Sequence, residues 1–188
     1  MHRLMYDTDQ PVQLAFSAGL LATYADLADA ALVKHLEEIH GQVAWIDRGL
    51  GDPMHLATII DVETGTHGPA DAPTWYDRRH AAGARFLTTY CNQASLAEVQ
   101  REMGPRPHYQ WIARLDGITT VAGFTPGQTP AAVQFAGAAA LGFHADASLV
   151  FQASWNPAPA SLAAAHARQY LTTAESAVTS ALATLAKV

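Results

Sequence analysis

The sequence predicts an α/β fold built of parallel βαβ units. Short β-branched or apolar runs alternate with stretches of helical spacing. Strands joined through helices run parallel. Acidic residues stand where three of those runs end, at Asp7, Asp26 and Asp61. The number of units within 188 residues favours a small or incomplete barrel over an open sheet. A doubly wound sheet is the competing arrangement. It wants a Gly-rich phosphate loop after its first strand, where this chain has Asp7-Thr8-Asp9-Gln10.

Leu4-Met5-Tyr6 reads as the first strand, ending at Asp7. Pro11 to Ala18 suits a short helix with Pro at its start. Leu20 to Tyr24 is a second strand. Ala28 to Ile39 has helical spacing, with Leu32, Leu36 and Ile39 on one side. Gln42 to Ile46 is strand-like. Ala57 to Glu63 is the clearest strand, β-branched and apolar before it turns acidic. Asp71 is a candidate N-cap for a helix with Pro73 in its first turn, running through Trp75 to Ala82 and stopping at Gly83. Arg85 to Tyr90 is a strand. Ser95 to Met103 is a helix, with Ser95 and Glu98 in a capping-box pattern and Gly104-Pro105 after it. His108 to Leu115 is a strand. After Gly117 no helix is expected in the barrel. Ala131 to Phe135 and Ser148 to Phe151 read as closing strands, joined through the Ala/Gly-rich stretch 136–142.

Three units follow: a barrel domain over 1–155, a Pro/Ala linker over 156–160, and a C-terminal helix over 161–188. Ser161 caps that helix. Ala164, Ala167, Leu171, Ala174, Val178, Ala181 and Leu185 form a seam with alternating spacings of three and four. The helix either packs on its own barrel or bundles with copies of itself.

Hydrophobic residues make up 49% of the chain, enough for a core, which excludes wholesale disorder. The net charge of −6, with no basic run, argues against binding nucleic-acid backbone or an anionic membrane surface. No apolar run approaches the ~18 residues of a membrane span. Met1 to Asp7 does not read as a signal peptide. The single cysteine, Cys91, excludes an intrachain disulfide framework and a cysteine-rich zinc site. The nine histidines show no helical pair flanking a Glu, and read as surface or loop residues.

Asp61-Val62-Glu63 is the most informative tripeptide. Residues i and i+2 of a strand share a face, so two carboxyls sit together at a strand's C-terminal end. Barrel enzymes place their catalytic groups there. Close like charges hold a proton on one carboxyl near neutral pH, the split that acid-catalysed glycoside cleavage requires. The alternative is a strand end that simply meets solvent. Asp7, Asp26 and Asp146 would project near the same mouth, with Tyr24, Tyr90 and Trp111 nearby. Sugars pair acids with flat aromatic faces in this way.

The sequence resembles the glycoside hydrolase family 25 lysozymes and related lysozyme-like barrels of actinobacteria and their phages. The matching residues run over about 4–151: Asp7; Asp61-Val62-Glu63; Trp75 and Gly83; Thr89-Tyr90-Cys91-Asn92; Tyr109 to Ala113; Val133-Gln134-Phe135; and Asp146 to Val150. The family's opening Gly-x-Asp-x-Ser is replaced by Met5-Tyr6-Asp7-Thr8-Asp9, and the Lys and Glu–Gly of its second strand by Ala22-Thr23-Tyr24-Ala25-Asp26. The resemblance implies a small TIM-like (β/α)5(β)3 barrel cleaving the β-1,4 link between N-acetylmuramic acid and N-acetylglucosamine in peptidoglycan. It implies Glu63 as general acid, Asp61 as its partner, and Asp7 and Asp146 as supporting carboxylates. Tyr24, Asp26, Tyr90, Trp111 and Gln134 are the expected substrate-binding residues. No metal or organic cofactor is expected. A phage lysin, working from the host cytoplasm or the virion on the cell wall, fits this pattern. The other readings are a non-catalytic glycan-binding or structural virion module, with oligomer or virion contacts through the C-terminal helix, and an intracellular sugar enzyme.

Overall fold

The computed structural model describes residues 3–14, 20–117, 120, 130–142 and 144–158. The expected helix over 161–188 lies outside the described residues.

Eight strands close into a barrel in sequence order. They are β1 (Arg3–Asp7), β2 (Leu20–Tyr24), β3 (Gln42–Asp47), β4 (Ile59–Val62), β5 (Thr88–Asn92), β6 (Tyr109–Ala113), β7 (Ala132–Ala136) and β8 (Asp146–Val150). Neighbours from β1 to β7 pair parallel. β8 runs antiparallel to both β7 and β1, and closes the ring between them. The carboxyl ends of the first seven strands and the start of β8 therefore share one rim.

Four helices lie among the described residues: α1 (Ala30–His40), α2 (Ala72–Ala81), α3 (Leu96–Met103) and α4 (Ala138–Leu141). Asp29 caps α1, accepting the Leu32 N–H at 2.7 Å. Gly41 ends it at φ +75°, a left-handed conformation that glycine adopts without a Cβ penalty.

Several expectations shift. α1 buries Val33, Leu36 and His40 rather than Leu32 and Ile39; Ile39 is 41% exposed. The predicted helix from Pro11 is a single 3-10 turn over Pro11–Gln13, and 15–19 lie outside the described residues. Asp71 does not cap α2; its carboxylate accepts the Gly68 N–H at 2.8 Å. Ser95 makes no side-chain cap, and instead its N–H donates to Asn92 Oδ1. Helices do not cease after Gly117, because the stretch read as a connection forms α4. Alanine has the highest helix propensity of any residue, so an Ala run favours one turn of helix. No helix lies between β3 and β4.

Alternation along the strands makes two apolar layers. Met5, Leu20, Ala22, Ala44, Ile46, Ile59, Trp111, Ala132 and Val150 cluster inside the barrel with Trp155. Leu21, Val43, Trp45, Ile60, Val62, Cys91 and Ile112 face the helices, where Trp75, Val99 and Met103 meet them. Alanines at three interior positions leave room for two indoles, which fill so small a ring. Trp155 plugs the end away from the acidic rim, its Nε1 donating to Thr88 Oγ1 at 2.9 Å. Arg3 donates to the Trp155 carbonyl at 2.7 Å, and Thr58 Oγ1 donates to the Pro157 carbonyl. The first residues of the expected linker are thus packed against the barrel floor. Among the described residues, no helix is long and apolar enough to cross a membrane.

Candidate active site

Four carboxyls from three strands meet at the rim. Asp7 ends β1 and pairs in register with Asp146, which begins β8. β4 carries Ile59 and Asp61 inward while Ile60 and Val62 face the helices, and Glu63 follows one residue past the strand. Asp7 and Asp61 are nearly buried, at 9% and 5% exposed. Glu63 and Asp146 are half-buried.

Gln134 ties two of the acids together. Its Nε2 donates to Asp146 Oδ2 at 2.6 Å and to Asp7 Oδ2 at 3.3 Å. Its Oε1 accepts the Tyr90 hydroxyl at 2.5 Å. A register shift between Gln134 and Ala136 marks this point of the β7–β8 ladder. Asp146 Oδ1 also accepts the Ala138 N–H, at the start of α4, at 2.5 Å.

The electrostatics follow from this crowding. Burial, then the charges of Asp146, Asp61 and Glu63, push the Asp7 carboxyl well above the usual carboxylate range. Burial and then Glu63 push Asp61 up to about 7. Glu63 is raised by burial and by Asp146. Asp146 is raised by burial, which outweighs the hydrogen bonds from Ala138 and Gln134. Asp7 Oδ1 and Asp61 Oδ1 are buried with no partner among the described residues. A neutral carboxyl tolerates that far better than an anion does. The rim is thus a set of acids each held above its ordinary range, with Asp61 at about 7.

The aromatic residues divide by depth. Tyr24 and Tyr90 are half-buried. Arg48 lies over the Tyr24 ring, 4.2 Å from its centroid, and holds Asp26 through two hydrogen bonds of 2.9 and 2.8 Å. Asp26 is therefore engaged in an ion pair at the rim rather than joined to the acid cluster. Trp111 is fully buried and meets Tyr90 edge-on at 4.7 Å, with its Nε1 donating to Ser148 Oγ. It props Tyr90 from below and does not line the opening. Gln134, 1% exposed, likewise acts through its neighbours.

Arg48 and Asp47 were not singled out in the sequence. Asp47 ends β3 on the outer face, where Oδ2 accepts Trp75 Nε1–H at 3.0 Å and Oδ1 accepts the Gly49 N–H at 2.9 Å. His67 Nε2 lies 3.1 Å from Oδ1. The signal was present: Asp47 follows a strand as Asp61 does, and Arg48 follows it. Cys91 sits in the strand–helix core, and burial pushes its thiol up to about 12, the behaviour of an inert cysteine. His40 is 2% exposed and so is not a surface histidine. Among the described residues, no group of three or more His, Cys, Asp or Glu is placed to hold a metal ion.

No family model, no curated protein and no solved structure matches the chain.

Proposed function

We propose that the protein is a lysozyme-like glycoside hydrolase acting on the β-1,4 glycan of peptidoglycan. The observation that carries this is Asp61 near the end of β4 and Glu63 one residue past it, in a group of acids completed by Asp7 and Asp146. Glycoside cleavage needs a proton for the leaving oxygen and an anion beside the developing charge at the sugar. Glu63, half-buried at the rim, is the proton donor. Asp61, beside it, is the partner carboxyl; burial and Glu63 raise it to about 7, so it becomes the anion only above that pH. Gln134 fixes Asp7 and Asp146, and Tyr24 and Tyr90 supply ring faces for the sugar. In this reading the barrel is of the (β/α)5(β)3 type. Seven parallel strands closed by an antiparallel eighth support it, while α4 and the helix-free β3–β4 connection depart from it. A phage lysin or virion-associated wall enzyme is the setting.

The second reading is a non-catalytic glycan-binding or structural virion module. The burial of Asp7 and Asp61 favours it, since a reacting sugar must touch its carboxylates. Release of new reducing ends from purified peptidoglycan tests the two. The enzyme produces them, and Glu63→Gln lowers the rate by about 10²-fold or more. Equal rates for both proteins reject the catalytic assignment. Pull-down on the same wall preparation without any release supports the binding module.

A further inference from the structure

Glu63 stands beyond the last paired residue of β4, so the sheet does not hold it. A tight turn does. The Thr66 N–H donates to the Glu63 carbonyl at 3.2 Å. Gly65 sits at φ +94°, the left-handed conformation that the third position of a type II turn requires. Thr66 Oγ1 fills the centre of this turn. It accepts the Glu63 N–H at 3.0 Å and lies 3.0 Å from both the Asp61 and the Glu63 carbonyl oxygens, which share its single proton, and its hydrogen bonding also lowers the Asp61 carboxyl.

The far side of the turn is anchored separately. The His67 N–H donates to the Asp61 carbonyl at 3.2 Å. The His67 ring meets Asp47, which is itself fixed by Trp75 of α2 and by Gly49. Arg78 adds a longer ion pair to Asp47 at 3.7 Å. The turn therefore has a hydrogen-bonded outer end and one hydroxyl at its centre.

We infer that Thr66 is the positioning residue that aims Glu63 into the acid ring, its hydroxyl substituting for the strand partner that Glu63 lacks. Its consequence for catalysis rests on the glycosidase reading; the placement of the Glu63 carboxyl does not. Removing the hydroxyl leaves the Glu63 N–H without its partner and frees the backbone that carries the acid. A displacement of about 1 Å in a reacting group is enough to cost one to two orders of magnitude in rate.

The test compares wild type, Thr66→Val and Thr66→Ser. Valine keeps the shape and removes the hydroxyl; serine keeps the hydroxyl. Reducing-end release gives kcat and KM, and carbon-13 NMR of Glu63 follows its carboxyl titration with no substrate present. The expected result is a kcat about 10-fold lower or more in Thr66→Val, with KM little changed. Thr66→Ser recovers most of the wild-type rate. The Glu63 midpoint falls in Thr66→Val, toward that of a solvated carboxyl, and stays in place in Thr66→Ser. An unaltered Glu63 midpoint in a folded Thr66→Val overturns the inference, as does a serine variant that behaves like valine. If wild type and Glu63→Gln are equally inactive on the wall, the glycosidase reading falls, and the titration alone decides the role of Thr66.

Discussion

Replacing Asp61 by Asn removes an ionisable group that the fold keeps protonated up to about pH 7. Its consequence for stability has a definite sign. Asp61 rises from an ordinary 3.8 to about 7 in the folded chain, with burial the larger cause and Glu63 the second. Below pH 4 the carboxyl is neutral in both folded and unfolded states, and it neither adds nor removes stability. Between pH 4 and 7 the unfolded chain gives up this proton while the folded chain keeps it. The folded state then binds more protons, so stability falls as pH rises. At ~1.4 kcal/mol per tenfold change in proton affinity, the loss reaches about 4 kcal/mol once pH passes 7. Asparagine never ionises and escapes it. Thermal unfolding of wild type and Asp61→Asn, followed by circular dichroism from pH 4 to 8.5, measures the difference. The variant should gain on wild type between pH 4 and about 7 and level off above, at about 10 °C. A gap that stays constant with pH would refute the placement of a protonated, buried Asp61.

Two further substitutions probe the scaffold. Trp155→Ala empties the barrel floor and strands Thr88 Oγ1; a loss of about 3–5 kcal/mol in urea unfolding is expected, and a loss under about 1 kcal/mol would show that the plug is dispensable. Asp29→Ala deletes the α1 cap and should cost about 1 kcal/mol in the same assay, with no change in the Asp61 titration.

The position of the acids at strand ends was readable because it depends on local pattern, while their gathering needs the closed ring. Asp7 and Asp61 each follow an apolar run, and the two-residue period of a strand puts Asp61 and Glu63 on one face whatever the tertiary arrangement. Asp146 was readable as an acid just before the last strand, and the structure makes it the first residue of β8. What Gln134 does was not legible, since its bridge from Asp7 to Asp146 exists only through the register of β7 on β8 and β8 on β1. Trp111 was expected at the opening because it was read, like Tyr24 and Tyr90, as lying near a strand end at the mouth. Closing the ring puts its indole under Tyr90, and burial of so large a side chain in the interior wins over exposure. Asp47 went unnoticed because strand parity aims it outward, where an acid needs donors. Those donors, Trp75 and His67, come from segments more than twenty residues away or close to it. α4 was hidden by composition: alanine and glycine together read as a connector, and only the N–H that α4 offers to Asp146 shows why a helical turn is useful there.

The reversed direction of β8 decides where the polypeptide departs. Because this strand starts among the acids and runs down, the chain passes Trp155 and Pro157 at the pole opposite the acidic rim, near where β1 enters. Along the described residues, the last contacts of the chain with the barrel are thus made on the side away from Glu63.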